Sequence, residues 1–85
     1  MTGSQNFAVA NFHRSAAAGI ANAEAARSAL QVLGGDCPPR WRQVAEARIA
    51  APTAPWADIA DSLGMTKHEA ASVFRRLVNR ARELA

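Results

Sequence analysis

Residues 56–75 constrain the fold of this chain more than any other stretch. Gly64 follows a small residue, Ala60, by four positions, and it separates two segments whose apolar residues recur at helical spacing. Glycine tolerates the left-handed backbone that ends a helix, and alanine lets two helix backbones approach closely. Thr66 precedes Glu69 by three residues, which is the signature of a capping box at a helix start. We therefore predict two helices joined by a tight turn.

This pattern predicts a buried and an exposed side for the two helices. The apolar residues expected to face the core between them are Ile59, Leu63, Met65, Ala70 and Val73. In a helix-turn-helix, the exposed side of the second helix points into the major groove of DNA. The residues on that side, which we take as candidates for reading bases, are Thr66, Lys67, His68, Ala71, Ser72 and Arg75. The same spacing also occurs in αα-corners of purely structural bundles.

The rest of the chain predicts an all-α fold. Alanine is abundant, β-branched residues are sparse and no alternating run is long enough for a strand. Helices are expected over about 8–33, 39–50, 56–63 and 66–84. The predicted architecture is one four-helix domain over residues 6–85, with a long N-terminal helix and a C-terminal helix-turn-helix like that of sigma-factor region 4. Residues 1–5 are small and polar, and we interpret them as an expression leader or a disordered segment.

The first helix has one apolar face and an internal glycine. Residues spaced by three or four define that face: Val9, Phe12, Ala16, Ile20, Ala23, Ala26, Leu30 and Leu33. Gly19 costs roughly 1 kcal/mol against alanine inside a helix. We expect the close approach of another helix to explain it. Gly34 and Gly35 favour the end of this helix, and the prolines at 52 and 55 favour the end of the second.

The positive charge lies in the second part of the chain. The formal net charge is +3, and nine of the ten basic residues are arginines. Arginine favours forked contacts with phosphate or guanine, although an Arg- and Ala-rich codon bias would give the same composition. We predict phosphate contacts from Arg42, Arg76 and Arg80. Arg40 and Arg48 also lie on the second helix, and they either touch phosphate or form a solvated face with packed stems.

Several classes of protein are disfavoured. Cys37 is the single cysteine, which excludes an intrachain disulfide and a four-ligand zinc site. The sequence has no paired carboxylates at useful spacing and no glycine-rich phosphate loop, so we expect no enzyme activity, no cofactor, no metal and no small-molecule substrate. No apolar run approaches the ~18 residues of a membrane span. We expect a cytoplasmic protein associated with the nucleoid.

The chain resembles the C-terminal domain of the WhiA family of bacterial sporulation regulators, a resemblance that covers nearly its whole length. Residues 6–15 are similar to that family's N-F-x-x-A-N-x-x-R-S opening, and residues 39–48 to its L-P-x-x-L-R-x-x-A-E-L-R-L run. Pro52, Asp58 and Leu63 match its P-x-x-S-L-x-E-L-x-x-x-L stretch. Residues 66–77 match its S-K-S-G-V-N-H-R-L-R-R-L recognition segment at Thr66, Lys67, Arg75, Arg76 and Leu77.

The departures from the family pattern concern the predicted site. Pro55 stands where the family has a serine cap, and residues 71–73 are Ala-Ser-Val where the family has Asn-His-Arg. If those polar residues read bases, this chain reads a different or less defined sequence. The family also carries an N-terminal lobe similar to homing endonucleases, which is missing here. This suggests a domain fragment or a stand-alone relative.

The resemblance implies sequence-specific binding of double-stranded DNA by a transcription regulator that acts with sigma-factor-bound RNA polymerase at promoters. It also implies roles in sporulation and cell division, and an actinobacterial type of sequence. The alternative function is a helical protein-interaction module that docks on a sigma factor or an RNA polymerase subunit. The two functions differ in salt dependence, because phosphate binding weakens steeply as salt rises.

Overall fold

The computed structural model describes residues 2–85, with side chains from residue 17 onward. This part of the chain folds into four α-helices and one short 3₁₀ helix, and it contains no strand. The elements are α1 (Thr2–Leu33), a 3₁₀ helix (Gly34–Asp36), α2 (Pro39–Ala50), α3 (Trp56–Leu63) and α4 (Lys67–Leu84). The predicted all-α, four-helix architecture with a long first helix is confirmed.

Local sequence signals place most of the helix ends. Gly34 adopts the left-handed conformation, with φ of 52°, directly after α1. Pro39 is the first residue of α2, where the missing amide hydrogen costs nothing. The predicted bounds of α2 and α3 match the structure, and α4 begins one residue after its predicted cap, Thr66. α1 begins at Thr2, before the predicted start near residue 8. The predicted leader, residues 1–5, precedes the residues whose side chains the structure describes.

Small residues let the helices pack closely around one core. The central cluster joins α1, α2 and α4 through buried residues: Ala26, Ala29, Leu33, Cys37, Ala45, Leu77 and Ala81. Leu30, Trp41, Ile49 and Phe74 pack against this cluster from its edge. Alanines on facing helices shorten the distance between backbones, so the few large side chains are sufficient to fill the space between them.

The predicted apolar faces need three corrections. Ile20 is 48% exposed, because the contact stripe of α1 passes through Gly19 and Ala23 beside it. Leu63 is only half-buried, because it ends α3 at the surface turn. Met65, which follows Gly64 in that turn, is half-buried for the same reason. Val9, Phe12 and Ala16 lie outside the described side chains.

Gly19 is explained by a loop and not by the predicted helix. An added Cβ at this position would lie 1.9 Å from the carbonyl oxygen of Pro52, which belongs to the segment between α2 and α3. No side chain fits in that gap. The prediction of a close approach was therefore right, and its assignment to a neighbouring helix was wrong.

Cys37 contributes to the core as a small apolar side chain. It is 7% exposed, and burial raises the pKa of its thiol, an effect that Arg42 opposes and Glu46 reinforces. Across the described residues, no helix combines the length and apolar character needed to cross a membrane.

Candidate nucleic-acid interface

The corner between α3 and α4 is fixed by backbone hydrogen bonds at Gly64. This residue has φ of 68° and ψ of 28°, the left-handed conformation expected for a glycine after a helix. Its amide donates to the carbonyl oxygen of Asp61 at 3.2 Å, and the amide of Met65 donates to that of Ala60 at 3.0 Å. These two bonds form a Schellman motif. Ile59 and Ala60 are 3% and 1% exposed, so they are packed inside the corner.

The start of α4 carries the predicted capping box. The amide of Glu69 donates to Oγ1 of Thr66 at 3.1 Å, and the amide of Thr66 donates to Oε1 of Glu69 at 3.4 Å. The other carboxylate oxygen of Glu69 accepts a hydrogen bond from Nη2 of Arg40 at 2.6 Å. One carboxylate therefore closes the first turn of α4 and also ties it to the start of α2.

The exposed side of α4 carries a ridge of polar side chains at spacings of four, three and four residues. We call it the α4 ridge, and it consists of His68, Ser72, Arg75 and Asn79. The buried stripe of α4, formed by residues such as Ala70 and Leu77, lies on the other side of the helix. Ser72 is half-buried, and its Oγ accepts from Nη2 of Arg75 at 3.4 Å. The ridge thus presents donors and acceptors of several kinds along one line.

The structure divides the six predicted base-reading candidates into two groups. Lys67, His68 and Arg75 are exposed, and Ser72 belongs to the same ridge as the last two. The hydroxyl of Thr66 is engaged in the cap, and Ala71 is half-buried with only a methyl group to offer. The geometry aligns three of the candidates, His68, Ser72 and Arg75, whereas Lys67 lies toward the start of α3.

The three residues predicted to contact phosphate differ in whether their guanidinium groups already have a partner within the chain. Arg42 is half-buried and donates through Nη2 to the carbonyl oxygen of Gly34 at 2.7 Å. Arg80 is paired with Glu83 at 3.1 Å on the surface of α4. Among the described residues, no side chain pairs with Arg76, which is exposed. Arg76 is therefore the candidate most available to an external anion.

A recess of about 400 Å³ lies beside the ridge, between α2 and α4. Its lining includes two arginines, Arg40 and Arg76, together with Trp41, His68 and Ser72. Only Glu69 among its lining residues is acidic, and its carboxylate is already paired with Arg40. The recess gives the ridge a positively charged flank.

Arg48 is buried, so the prediction that it belongs to a solvated face was wrong. It is 2% exposed, and its Nη2 donates to the carbonyl oxygen of Ala54, with those of Ala51 and Pro52 at 3.5 Å. These carbonyls belong to the proline-containing segment after α2, where they lack partners in a helix. The guanidinium satisfies them and shapes the entry to α3.

Sequence reasoning missed Asn79 and Arg82 on α4. Asn79 completes the ridge two turns after Ser72, and Arg82 is exposed further along the helix. The helical period that identified Ser72 and Arg75 also reaches position 79, so this signal was present in the sequence. An amide at position 79 offers both a donor and an acceptor to a partner.

In the part of the chain that the structure describes, no group of three or more His, Cys, Asp or Glu side chains is placed to hold a metal ion.

The described fold and site define an all-α domain whose last two helices form a corner with a cationic outer face. Comparisons of the chain with models of protein families, with curated proteins and with solved structures found no match.

Proposed function

We propose that this chain binds double-stranded DNA, with α4 lying in the major groove. The observation that carries the proposal is the α4 ridge. His68, Ser72, Arg75 and Asn79 lie on one line along the outer side of the helix, with Ser72 half-buried and the other three exposed. The start of this helix is capped, and the Gly64 corner fixes its position. A rigid helix with side-chain donors and acceptors on one line matches the way such helices read base edges.

Charge supports the same proposal. Arg76 is exposed beside the ridge, and Arg40 lines the adjacent recess. Cationic side chains on the flank of a reading helix hold the phosphates of the DNA backbone and set the helix register. In this proposal Arg75 reads a guanine, because its fork matches the two acceptors of that base in the major groove.

The resemblance to the WhiA family extends the proposal to a regulatory role. We propose sequence-specific binding at promoters, in concert with sigma-factor-bound RNA polymerase. The changed residues at 71–73 support a target sequence that differs from the family's, since only Ser72 of these three offers a hydrogen-bonding side chain.

A second candidate function, docking on a sigma factor or polymerase subunit, is favoured by an apolar recess on another face. This recess, of about 240 Å³, lies between the later turns of α1 and α4 and is lined by Ala25, Val32 and Val78 among others. Val32 is 42% exposed there. Exposed apolar patches of this kind commonly mark protein contacts.

Fluorescence anisotropy of a labelled mixed-sequence duplex, titrated at several salt concentrations, tests the first proposal. Each phosphate neutralised contributes about −0.9 to the slope of log affinity against log salt. We expect a slope of several units that collapses in the variant Lys67→Ala/Arg75→Ala/Arg76→Ala. Arg27→Ala removes an exposed positive charge on α1, away from the ridge, and serves as the control that keeps the slope. Absence of binding at low salt, with helicity confirmed by circular dichroism, contradicts the proposal and favours protein docking.

A further inference from the structure

A further cavity lies at the start of α3, away from the recess beside the ridge. Its volume is about 270 Å³, and it is bounded by the middle of α1, Arg48 of α2, the segment 53–57 and the first residue of α4. Most of its lining is apolar, and the polar side chains in it are Asn22, Arg48, Thr53 and Lys67. Both charged residues among those that line it, Arg48 and Lys67, are positive.

Arg48 brings a buried charge to this cavity. The residue is 2% exposed, and its hydrogen bonds to neutral carbonyls all leave from Nη2, while its Nε has no partner. Burial lowers the pKa of Arg48, with no carboxylate offsetting the effect. Residues 1–16 contain neither Asp nor Glu, so the preceding part of α1 supplies no counter-charge either. A buried cation without an anion is costly, and an anion entering the cavity would relieve that cost.

The backbone at the start of α3 adds donors to the same cavity. Pro55 precedes the helix and provides no side-chain cap, and no described group accepts from the amides of Trp56 and Ala57. Unpaired amides at a helix start bind anions, and the helix dipole favours negative charge there. Asp58 lies in the first turn of α3, but it is exposed and outside the cavity lining.

We propose that this cavity binds a phosphate group, held by the amides of Trp56 and Ala57 and by Lys67, with the buried charge of Arg48 beneath it. A tetrahedral oxyanion offers several acceptors in different directions, which suits donors that converge from a helix start and a side chain. The phosphate comes either from the DNA backbone or from a small phosphorylated molecule. Only a phosphate from the DNA backbone rests on the proposed function. A titration with free phosphate tests the cavity in the absence of DNA.

Amide chemical shifts measured by ¹H–¹⁵N NMR test this proposal. Sodium phosphate is titrated against sodium chloride at constant ionic strength, and the backbone amides of Trp56 and Ala57 and the indole of Trp56 are followed. We expect shifts at these groups that saturate with phosphate and are absent with chloride. Lys67→Ala is expected to weaken phosphate binding by about tenfold, the scale of one charge-assisted hydrogen bond. Arg27→Ala removes the same charge on α1 and is expected to leave the phosphate affinity unchanged.

A parallel titration with a short duplex distinguishes the two sources. Saturating shifts at Trp56 and Ala57 with both phosphate and duplex support a DNA backbone phosphate in the cavity. Saturating shifts with phosphate alone support a small phosphorylated ligand, even if the chain binds no DNA. If neither titrant shifts these amides in the folded chain, the phosphate site is refuted, and duplex-induced shifts confined to the α4 ridge would leave DNA binding intact.

Discussion

The guanidinium of Arg48 stacks on the indole of Trp56, with Cζ of Arg48 4.6 Å from the ring centroid. Trp56 in turn packs against Phe74 of α4, with ring centroids 5.2 Å apart and a tilt of 53°. One buried cation thus connects the end of α2 to the first residue of α3, and the aromatic pair continues the connection to α4. The corner that presents the α4 ridge depends on this chain of contacts.

Arg48→Ala is expected to lower the free energy of unfolding by about 2–4 kcal/mol, because it removes the hydrogen bonds to the part-buried carbonyls after α2 and a cation–π contact. Arg48→Lys keeps the charge but loses the planar fork, so it is expected to recover only part of that loss. Urea denaturation followed by circular dichroism measures both. The control is Arg82→Ala, an exposed position where the change is expected to stay within about 0.5 kcal/mol. An equally small loss for Arg48→Ala would show that the loop carbonyls do not need this side chain.

Gly19→Ala is expected to destabilise the fold by about 1–3 kcal/mol, because its Cβ would collide with the carbonyl oxygen of Pro52. Inside a helix, Gly→Ala usually increases stability by about 1 kcal/mol. The sign of the stability change therefore shows whether the added Cβ collides with Pro52. Gly35→Ala is the matched control, since nothing lies within 4 Å of an added Cβ there. Thermal unfolding compares the two variants. A stabilised Gly19→Ala would mean that segment 51–55 moves away readily.

Thr66→Ala is expected to cost about 1 kcal/mol of stability through loss of the cap on α4. Glu69→Gln keeps an acceptor for the amide of Thr66 and weakens only the exposed contact with Arg40, so a loss below about 1 kcal/mol is expected. Chemical denaturation of both variants separates the two roles of Glu69. A larger loss for Glu69→Gln than for Thr66→Ala would show that the link to α2 dominates.

Arg75→Ala is expected to reduce discrimination between a selected target duplex and a random one by roughly 1–3 kcal/mol, as loss of a forked guanine contact does. Arg76→Ala removes the same charge one residue later. It is expected to weaken binding to both duplexes equally, because a phosphate contact carries no sequence information. Competition binding at fixed salt measures the difference. Equal losses on both duplexes for Arg75→Ala would assign it to the phosphate backbone.

The stability of the fold is expected to fall at alkaline pH through Cys37. Burial raises the pKa of this thiol above that of the unfolded chain, about 8.5 for an ordinary cysteine. The folded state therefore favours the protonated thiol: its contribution is complete below the unfolded pKa and is lost as the pH rises through the folded one. Urea denaturation from pH 7 to 10 measures the decline, which Cys37→Ala should make shallower. Identical pH profiles for the original chain and for Cys37→Ala would show that folding does not change the pKa of the thiol.

Local chemistry made the helix ends predictable. Gly64, Thr66 and the prolines act on their own backbone and that of their neighbours, so their effects are visible in a few consecutive residues. The position of the candidate ridge followed from the helical period alone. Asn79 continues the same helical period, but the predicted candidates ended at Arg75.

The burial of Arg48 was not predicted, although its partners are close in sequence: the carbonyl oxygens of Ala51, Pro52 and Ala54 and the ring of Trp56. Its burial depends on how the segment after α2 folds over the guanidinium, which residue types and helical spacing do not specify. The partner of Gly19 was hidden for a different reason, because the contact with Pro52 joins residues far apart in sequence. A charged side chain at helical spacing resembles a surface residue until the tertiary fold supplies its partners.

The packing of α1 against α4 also bears on the order in which the chain folds. Ala26 and Leu33 share one buried cluster with Leu77 and Ala81. During synthesis α1 leaves the ribosome well before α4, so α2 covers only part of its apolar stripe until α4 arrives. The helix that carries the candidate DNA contacts therefore also completes the core that the structure describes, and a nascent chain forms this candidate surface in the same step in which its packing is completed.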